Sequence, residues 1–287
     1  MRSTVRLTPR DHDRGAAGLR WVYPVVSRRA AGVSIGLNLN PNRACNWRCI
    51  YCQVPDLVRG VPQPFEAADL AALEGELRGF LDQILRGDFM ERCVPAEARQ
   101  LRDIAFSGDG EPTLLAAFPE VVELVGRVLL DEGLVGKLKL VLITNGSRLA
   151  RPEVQRGIAT MKELGGEVWF KLDAVGAGRE MINDVRLSDA RVAENLATCA
   201  GLCPTRLQIC LFKRAGKAPE EKDLERLLAF IEARVAAGVA LGESLLYTIA
   251  REPLQVEGPS LAALDAKSLD DIAARMRRRG LAASTSP

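Results

Sequence analysis

Apolar residues in this chain recur at period two over short runs and then at helical spacing over longer ones, and the two patterns alternate. Residues 33–38, 103–107, 138–144, 167–173, 206–212 and 245–249 are short runs rich in apolar and β-branched side chains. Helical stripes lie between them. Residues 66–86 carry Leu70, Leu73, Leu77, Leu81 and Ile84 on one face. Pro119, a favoured first-turn residue, opens a helix bearing Val121, Val122, Val125 and Leu129. A third helix is predicted over 152–164, and Ser188 can cap a fourth with Val192, Leu196 and Cys199. Leu224, Leu227, Leu228, Ile231 and Val235 mark a fifth. Ser268 and Asp271 resemble a capping box for the last helix, which Gly280 ends. Strands separated by helices pair in parallel. Six such units are too few for the eight-stranded barrel, so the expected fold class is α/β, a partial (β/α)6 parallel barrel over 33–280. Residues 1–32 are expected to form an N-terminal extension and 281–287 a C-terminal tail.

The period-two runs also sort side chains by face. Val33, Ile35, Leu37 and Leu39 alternate with Ser34, Gly36, Asn38 and Asn40. Val168, Phe170 and Leu172 alternate with Trp169, Lys171 and Asp173. Leu207, Ile209 and Leu211 alternate with Arg206, Gln208, Cys210 and Phe212. The apolar sets would pack on helices, and the others would line the barrel interior. Polar groups there need partners, water or a ligand.

Composition excludes several classes. Of 287 residues, 47% are hydrophobic and 26% charged, enough for a sizeable core. A net charge of +2 does not point to a nucleic acid or an acidic partner. No apolar run approaches the ~18 residues of a membrane span. Residues 1–23 contain arginines without a signal-type apolar stretch, so a soluble, cytoplasmic protein is expected. The one histidine, His12, lies in a polar stretch and reads as solvated. A Ser–His–Asp triad or a histidine-rich zinc site has almost nothing to be built from. Seven cysteines are present, three of them within eight residues, a clustering that points to metal binding or catalysis.

Those three form Cys45-Asn46-Trp47-Arg48-Cys49-Ile50-Tyr51-Cys52, a CxxxCxxC directly after the first strand. Active sites of parallel barrels lie at the C-terminal ends of strands, so the placement suits a site. A 4Fe-4S cluster usually takes four cysteines. Three local thiolates leave one iron open, and an open iron is reactive. No second CxxC pair is present for a zinc ribbon. At the end of the second strand, Phe106-Ser107-Gly108-Asp109-Gly110-Glu111-Pro112-Thr113 forms a glycine-rich turn. Its glycines allow a close approach of backbone.

The CxxxCxxC with Tyr51 before its last cysteine, after strand one of a partial barrel, resembles the radical S-adenosylmethionine (SAM) superfamily. The resemblance implies a 4Fe-4S cluster on Cys45, Cys49 and Cys52. It implies SAM on the fourth iron, cleaved reductively to methionine and a 5′-deoxyadenosyl radical that takes hydrogen from a substrate. Ser107, Gly108, Asp109, Gly110 and Glu111 look like the family's glycine–glutamate–proline motif, which binds the cofactor's amino group. Thr144 and Asn145 close strand three beside it. Lys171 and Asp173 would bind the ribose and carboxylate, with a buried Lys–Asp ion pair as the alternative. Tyr51 would sit by the adenine, and Tyr247 and Arg251 are candidate pocket residues. A flavodoxin- or ferredoxin-type electron donor is the implied partner. The runs at 107–114, 171–174 and 182–183 look like the branch that includes the wyosine-base synthases of tRNA. Two features depart from that branch: residues 1–44 hold no cysteine, and the first lysine is Lys137. The substrate is therefore unassigned, with tRNA base modification and a non-enzymatic iron–sulfur carrier as alternatives. Substrate contacts are expected from 1–32, 53–65 and 87–102. Cys93, Cys199 and Cys203 read as small buried residues, ahead of an auxiliary cluster. Cys210, pointing inward, is the candidate catalytic hydrogen-atom donor.

Overall fold

The computed structural model describes residue 7, residues 18–27 and residues 31–286. His12 lies outside the described residues. Eight strands form one sheet whose spatial order follows the chain: β1 (Val22–Ser27), β2 (Gly32–Asn38), β3 (Leu101–Ser107), β4 (Lys139–Thr144), β5 (Glu167–Lys171), β6 (Thr205–Cys210), β7 (Ser244–Tyr247) and β8 (Ala283–Ser286). From β2 to β8 every pairing is parallel, and the sheet curls into a half-barrel. The main connecting helices are α1 (Ala67–Leu85), α2 (Phe118–Asp131), α3 (Pro152–Glu163), α4 (Ala177–Asn183), α5 (Asp189–Leu202), α6 (Glu221–Ala236) and α7 (Ala266–Arg278).

The period-two pattern decides which face each strand gives to the helices. Val33, Ile35, Leu37, Val168, Phe170, Leu207 and Ile209 all enter the main core with the helix stripes. Ser34, Gly36, Trp169, Lys171, Gln208 and Cys210 turn to the other side and line one cavity. A one-residue slip would exchange the two sets, so burial pins the register.

Local signals set the helix starts. Pro119 stands in the first turn of α2, and the Ser188 hydroxyl accepts the Arg191 N–H at 3.2 Å at the start of α5. The start of α7 differs from the sequence reading. Its cap is Asp265, whose carboxylate accepts the Ser268 N–H at 2.9 Å, so Ser268 already lies inside the helix. A carboxylate at this point also opposes the positive end of the helix dipole.

Two strands extend the sheet beyond the six that the alternation marks. β1 pairs antiparallel with β2, Val22 opposite Leu37. Its sequence contains Pro24, which argues against an interior strand but is tolerated on an edge. β8 is Ala-Ser-Thr-Ser, with no apolar alternation, and pairs parallel with β7. Both lie at the sheet's edges, where backbone pairing on one side is enough.

Candidate functional site

The cysteine loop leaves the C-terminal end of β2 and is held from several directions. Helix α4 ends just beneath it. The last carbonyls of a helix have no internal partner, and here Asn183 O and Ile182 O accept the Arg48 and Ile50 N–H groups at 3.3 and 2.9 Å. The Arg48 guanidinium forms a two-pronged pair with Glu257, at 2.8 and 2.7 Å, and reaches Asp184 at 2.9 Å. The Leu254 N–H donates to Cys52 O at 2.9 Å. Arg48 thus joins the loop to two segments far away in sequence.

Cys45, Cys49 and Cys52 line one cavity of about 290 Å³ together with Gly108, Gly110 and Glu111. Burial pushes the Cys45 and Cys49 thiols up to about 12, so they keep their protons until a metal displaces them. Among the described residues no three His, Cys, Asp or Glu side chains close on a single metal ion. A cubane makes no such demand, because each thiolate takes a different iron. The soft donor set and the shared cavity suit an iron–sulfur cluster.

The glycine turn leaves room that no other residue would. Gly108 has φ +129°, and a Cβ there would stand 2.5 Å from Asn38 Oδ1. A Cβ on Gly110 would lie 2.0 Å from the Ala44 carbonyl oxygen. Ala44 precedes the first cysteine, so the turn and the cysteine loop are in backbone contact. Glu111 is buried and stitches the turn to the end of β4. It accepts from Thr113 Oγ1 and Thr144 Oγ1 at 2.6 Å each, from Asn145 N at 2.7 Å and from Thr113 N at 3.2 Å. Burial raises its pKa and these donors oppose the rise. Asp109 bonds to Asn38 through its N–H and carboxylate, and the Ser107 hydroxyl meets Tyr23 OH at 2.8 Å. The Asn145 amide donates to Asn46 in the cysteine loop at 3.0 Å.

At the end of β5, Lys171 faces the cavity. Its ammonium donates to Tyr247 OH at 3.0 Å and lies 5.1 Å from the centre of the Tyr51 ring. Burial works against its charge. Tyr247 and Asp173 around it outweigh that and hold the ammonium above its usual range. Asp173, expected at the ribose, is held by protein donors. Its Oδ2 accepts from Tyr51 OH and from Asn183 Nδ2, the latter at 2.9 Å, and its Oδ1 accepts the Cys210 N–H at 2.9 Å. Those buried donors would otherwise be unsatisfied, so the carboxylate turns to them. No Lys171–Asp173 ion pair forms among the described residues. Asp109, Thr144 and Asp173 stand behind the cavity wall, whereas Tyr51, Ser107, Gly108, Gly110, Glu111, Asn145, Lys171, Cys210, Tyr247 and Arg251 line it.

Several residues of the site carried no signal of their own in the sequence. Arg48, Glu257 and Asp184 are ordinary charges until the fold joins them. Trp47 Nε1 and Gln208 Nε2 are buried on the cavity without a hydrogen-bond partner among the described residues. Such donors are costly unless something binds them. Below them Ala105, Val141, Trp169 and Leu245 form an apolar belt. The Trp169 indole N–H is engaged by Glu167 at 2.8 Å. The floor is polar, with Ser34 Oγ donating to Asp103. Cys199 and Cys203 are packed in the main core and Cys93 is buried near α1, none of them on this cavity.

A family model described as the radical SAM superfamily matches residues 39–231. The chain belongs to the radical SAM superfamily. Enzymes of this superfamily bind a 4Fe-4S cluster and SAM and need a reductant. It is 27% identical over 157 residues to a UPF0026 protein of Helicobacter pylori (strain ATCC 700392 / 26695), a match spanning 53% of this chain and 42% of the relative. A UPF0026 protein of Methanocaldococcus jannaschii is 28% identical over 152 residues, 53% of this chain and 40% of that one. The matches therefore span about two-fifths of these curated relatives. Among solved structures, Streptococcus suis SuiB bound to its precursor peptide SuiA superposes with a TM-score of 0.58 at 12% identity, covering 90% of this chain and 49% of that one. TYW1 with a lysine–pyruvate adduct gives 0.54 at 15%, covering 85% and 73%. These neighbours share the half-barrel fold. Among the described residues no helix is long and apolar enough to cross a membrane.

Proposed function

We propose that Cys45, Cys49 and Cys52 hold the cluster, that SAM occupies the cavity beside it, and that the barrel interior takes the substrate. One observation carries the reading: the three thiols and a glycine turn with no room for a Cβ open on the same cavity, which continues into the barrel. A cluster and SAM bound there would supply the chemistry, reductive cleavage to methionine and a 5′-deoxyadenosyl radical. The chain's residues bind and orient. The carbonyls around Gly108 and Gly110 receive the amino group of SAM, and Glu111 holds that turn against Thr144 and Asn145. Lys171 and Tyr247, bonded to each other on the cavity wall, would receive its carboxylate and ribose. Asp173 keeps the Tyr51 ring in place for the adenine. Gln208 Nε2, unpartnered among the described residues, would donate to a substrate acceptor above the Trp169 belt. The Cys210 thiol, kept protonated by burial, is placed to give a hydrogen atom to a carbon-centred product radical. A flavodoxin- or ferredoxin-type donor supplies the electron, and a reducing cytoplasm suits seven free thiols. Base modification in tRNA rests on the motif likeness alone.

The test is anaerobic reconstitution with iron and sulfide, followed by SAM and a strong reductant, with 5′-deoxyadenosine as readout. The parent forms it, and the Cys45, Cys49 and Cys52 triple alanine variant does not. Cys210→Ala retains the full cluster, since Cys210 is not a ligand. A triple variant that still binds four irons would overturn the assignment. Acceleration by added unfractionated tRNA would favour the tRNA reading.

A further inference from the structure

Asn183 is polar, yet only 1% exposed at the end of α4. Its amide nitrogen carries two N–H bonds and meets two acceptors, Asp173 Oδ2 at 2.9 Å and Cys49 Sγ at 3.2 Å. The amide cannot equally well be turned over. A carboxylate without a proton only accepts, so the nitrogen and not the oxygen must face Asp173. The second N–H is then directed at the sulfur. Asp173 is itself fixed by Tyr51 OH and the Cys210 N–H, so the donor is held rigidly.

We propose that Asn183 is a positioning residue for the cluster, whose side-chain N–H donates to the Cys49 thiolate and raises the potential at which the cluster takes up its electron. This rests on Cys49 being a cluster ligand. A hydrogen bond to a ligating sulfur draws electron density from it, which favours the reduced, more electron-rich state. The three cysteines are unequal in this respect. Among the described residues Cys45 meets only the Trp47 N–H at 3.5 Å, with Glu111 nearby. Cys49 has the Asn183 amide and the positive field of Lys171. The loop's docking on α4 uses the backbone carbonyls of Ile182 and Asn183. Replacing the side chain therefore removes the N–H···S bond and leaves the docking in place.

The test compares the parent with Asn183→Leu, which keeps the volume and removes the donor. Both are reconstituted anaerobically, iron and sulfide are counted, and the cluster is titrated with its electron paramagnetic resonance signal as readout. Asn183→Leu should carry four irons and show a midpoint potential more negative than the parent. A second measurement needs no variant. With asparagine labelled by ¹⁵N at the side chain, the reduced parent cluster should show a ¹⁵N hyperfine coupling, which decides the matter if Asn183→Leu assembles poorly. A fully loaded Asn183→Leu with the parent's midpoint, or a reduced parent without the coupling, overturns the inference and leaves the ligand assignment standing. A parent that assembles no cluster overturns both.

Discussion

Replacing Gly110 by alanine tests whether the glycine turn and the cysteine loop form one unit. The added Cβ would stand 2.0 Å from the Ala44 carbonyl oxygen and 2.8 Å from Asn40 Cβ. Ordinary contact begins at about 3.4 Å, so Ala44 would have to retreat by about 1.4 Å. The obstacle is backbone and cannot rotate away. It is also bonded to Cys45, so the retreat moves the first thiol relative to the turn. Overpacking of this kind costs about 1–3 kcal/mol, which for a chain of this size lowers Tm by roughly 2–5 °C. The effect on chemistry is larger. A misplacement on the order of 1 Å in a positioned site can cost ~100-fold in rate. Gly110→Ala should therefore stay folded and form 5′-deoxyadenosine at least ~100-fold more slowly, or lose the cluster altogether. Circular dichroism melting, iron counting and chromatography of the product are the assays. A variant with four irons and a rate within about threefold of the parent would refute the reasoning, because the turn would then be free to move independently of the cysteines.

Glu167 at the barrel floor provides a pH signature. Burial works against its charge, but the Trp169 N–H, Lys139 and Arg206 outweigh it and hold its pKa below the usual carboxylate value. A depressed carboxylate contributes stability above its unfolded pKa and loses it as the pH falls through the folded one. Glu167→Gln should cost about 1–2 kcal/mol at neutral pH, and its Tm deficit should close below pH ~4; a deficit that persists unchanged into acid would contradict this. In the opposite direction, Gly79 lies exposed in α1 with nothing within 4 Å of an added Cβ. Gly79→Ala should raise stability by about 0.5–1 kcal/mol without altering the rate of 5′-deoxyadenosine formation, and a lower Tm would count against the helix assignment.

Much of the fold is legible along the chain because local periodicity reports burial. The helix read over 66–86 is observed as Ala67–Leu85, and the six runs each fall on a parallel strand. Ser188 caps its helix through its own hydroxyl, a signal confined to four residues. Where the reading falls short, the deciding interaction lies elsewhere. β1 contains Pro24 and β8 has no apolar alternation, so only the sheet edges awaiting them make them strands. The cap of α7 passes from Ser268 to Asp265, three positions earlier, because either residue type can cap and geometry chooses between them.

The site divides in the same way. Chain order alone brings Cys45, Cys49 and Cys52 together and places them after β2, because eight residues cannot separate far. The alternation of Trp169, Lys171 and Cys210 with core residues sends those three inward by itself. The partners of each charge are decided only by the tertiary structure. Arg48 finds Glu257 across 209 positions, and Tyr51 finds Asp173 across 122. Asp173 is thereby turned from the cavity toward Tyr51, Asn183 and Cys210. A hydrogen bond depends on distances of a few tenths of an ångström between strand ends. Sequence spacing controls direction within one strand, but the curl of the whole sheet sets those distances.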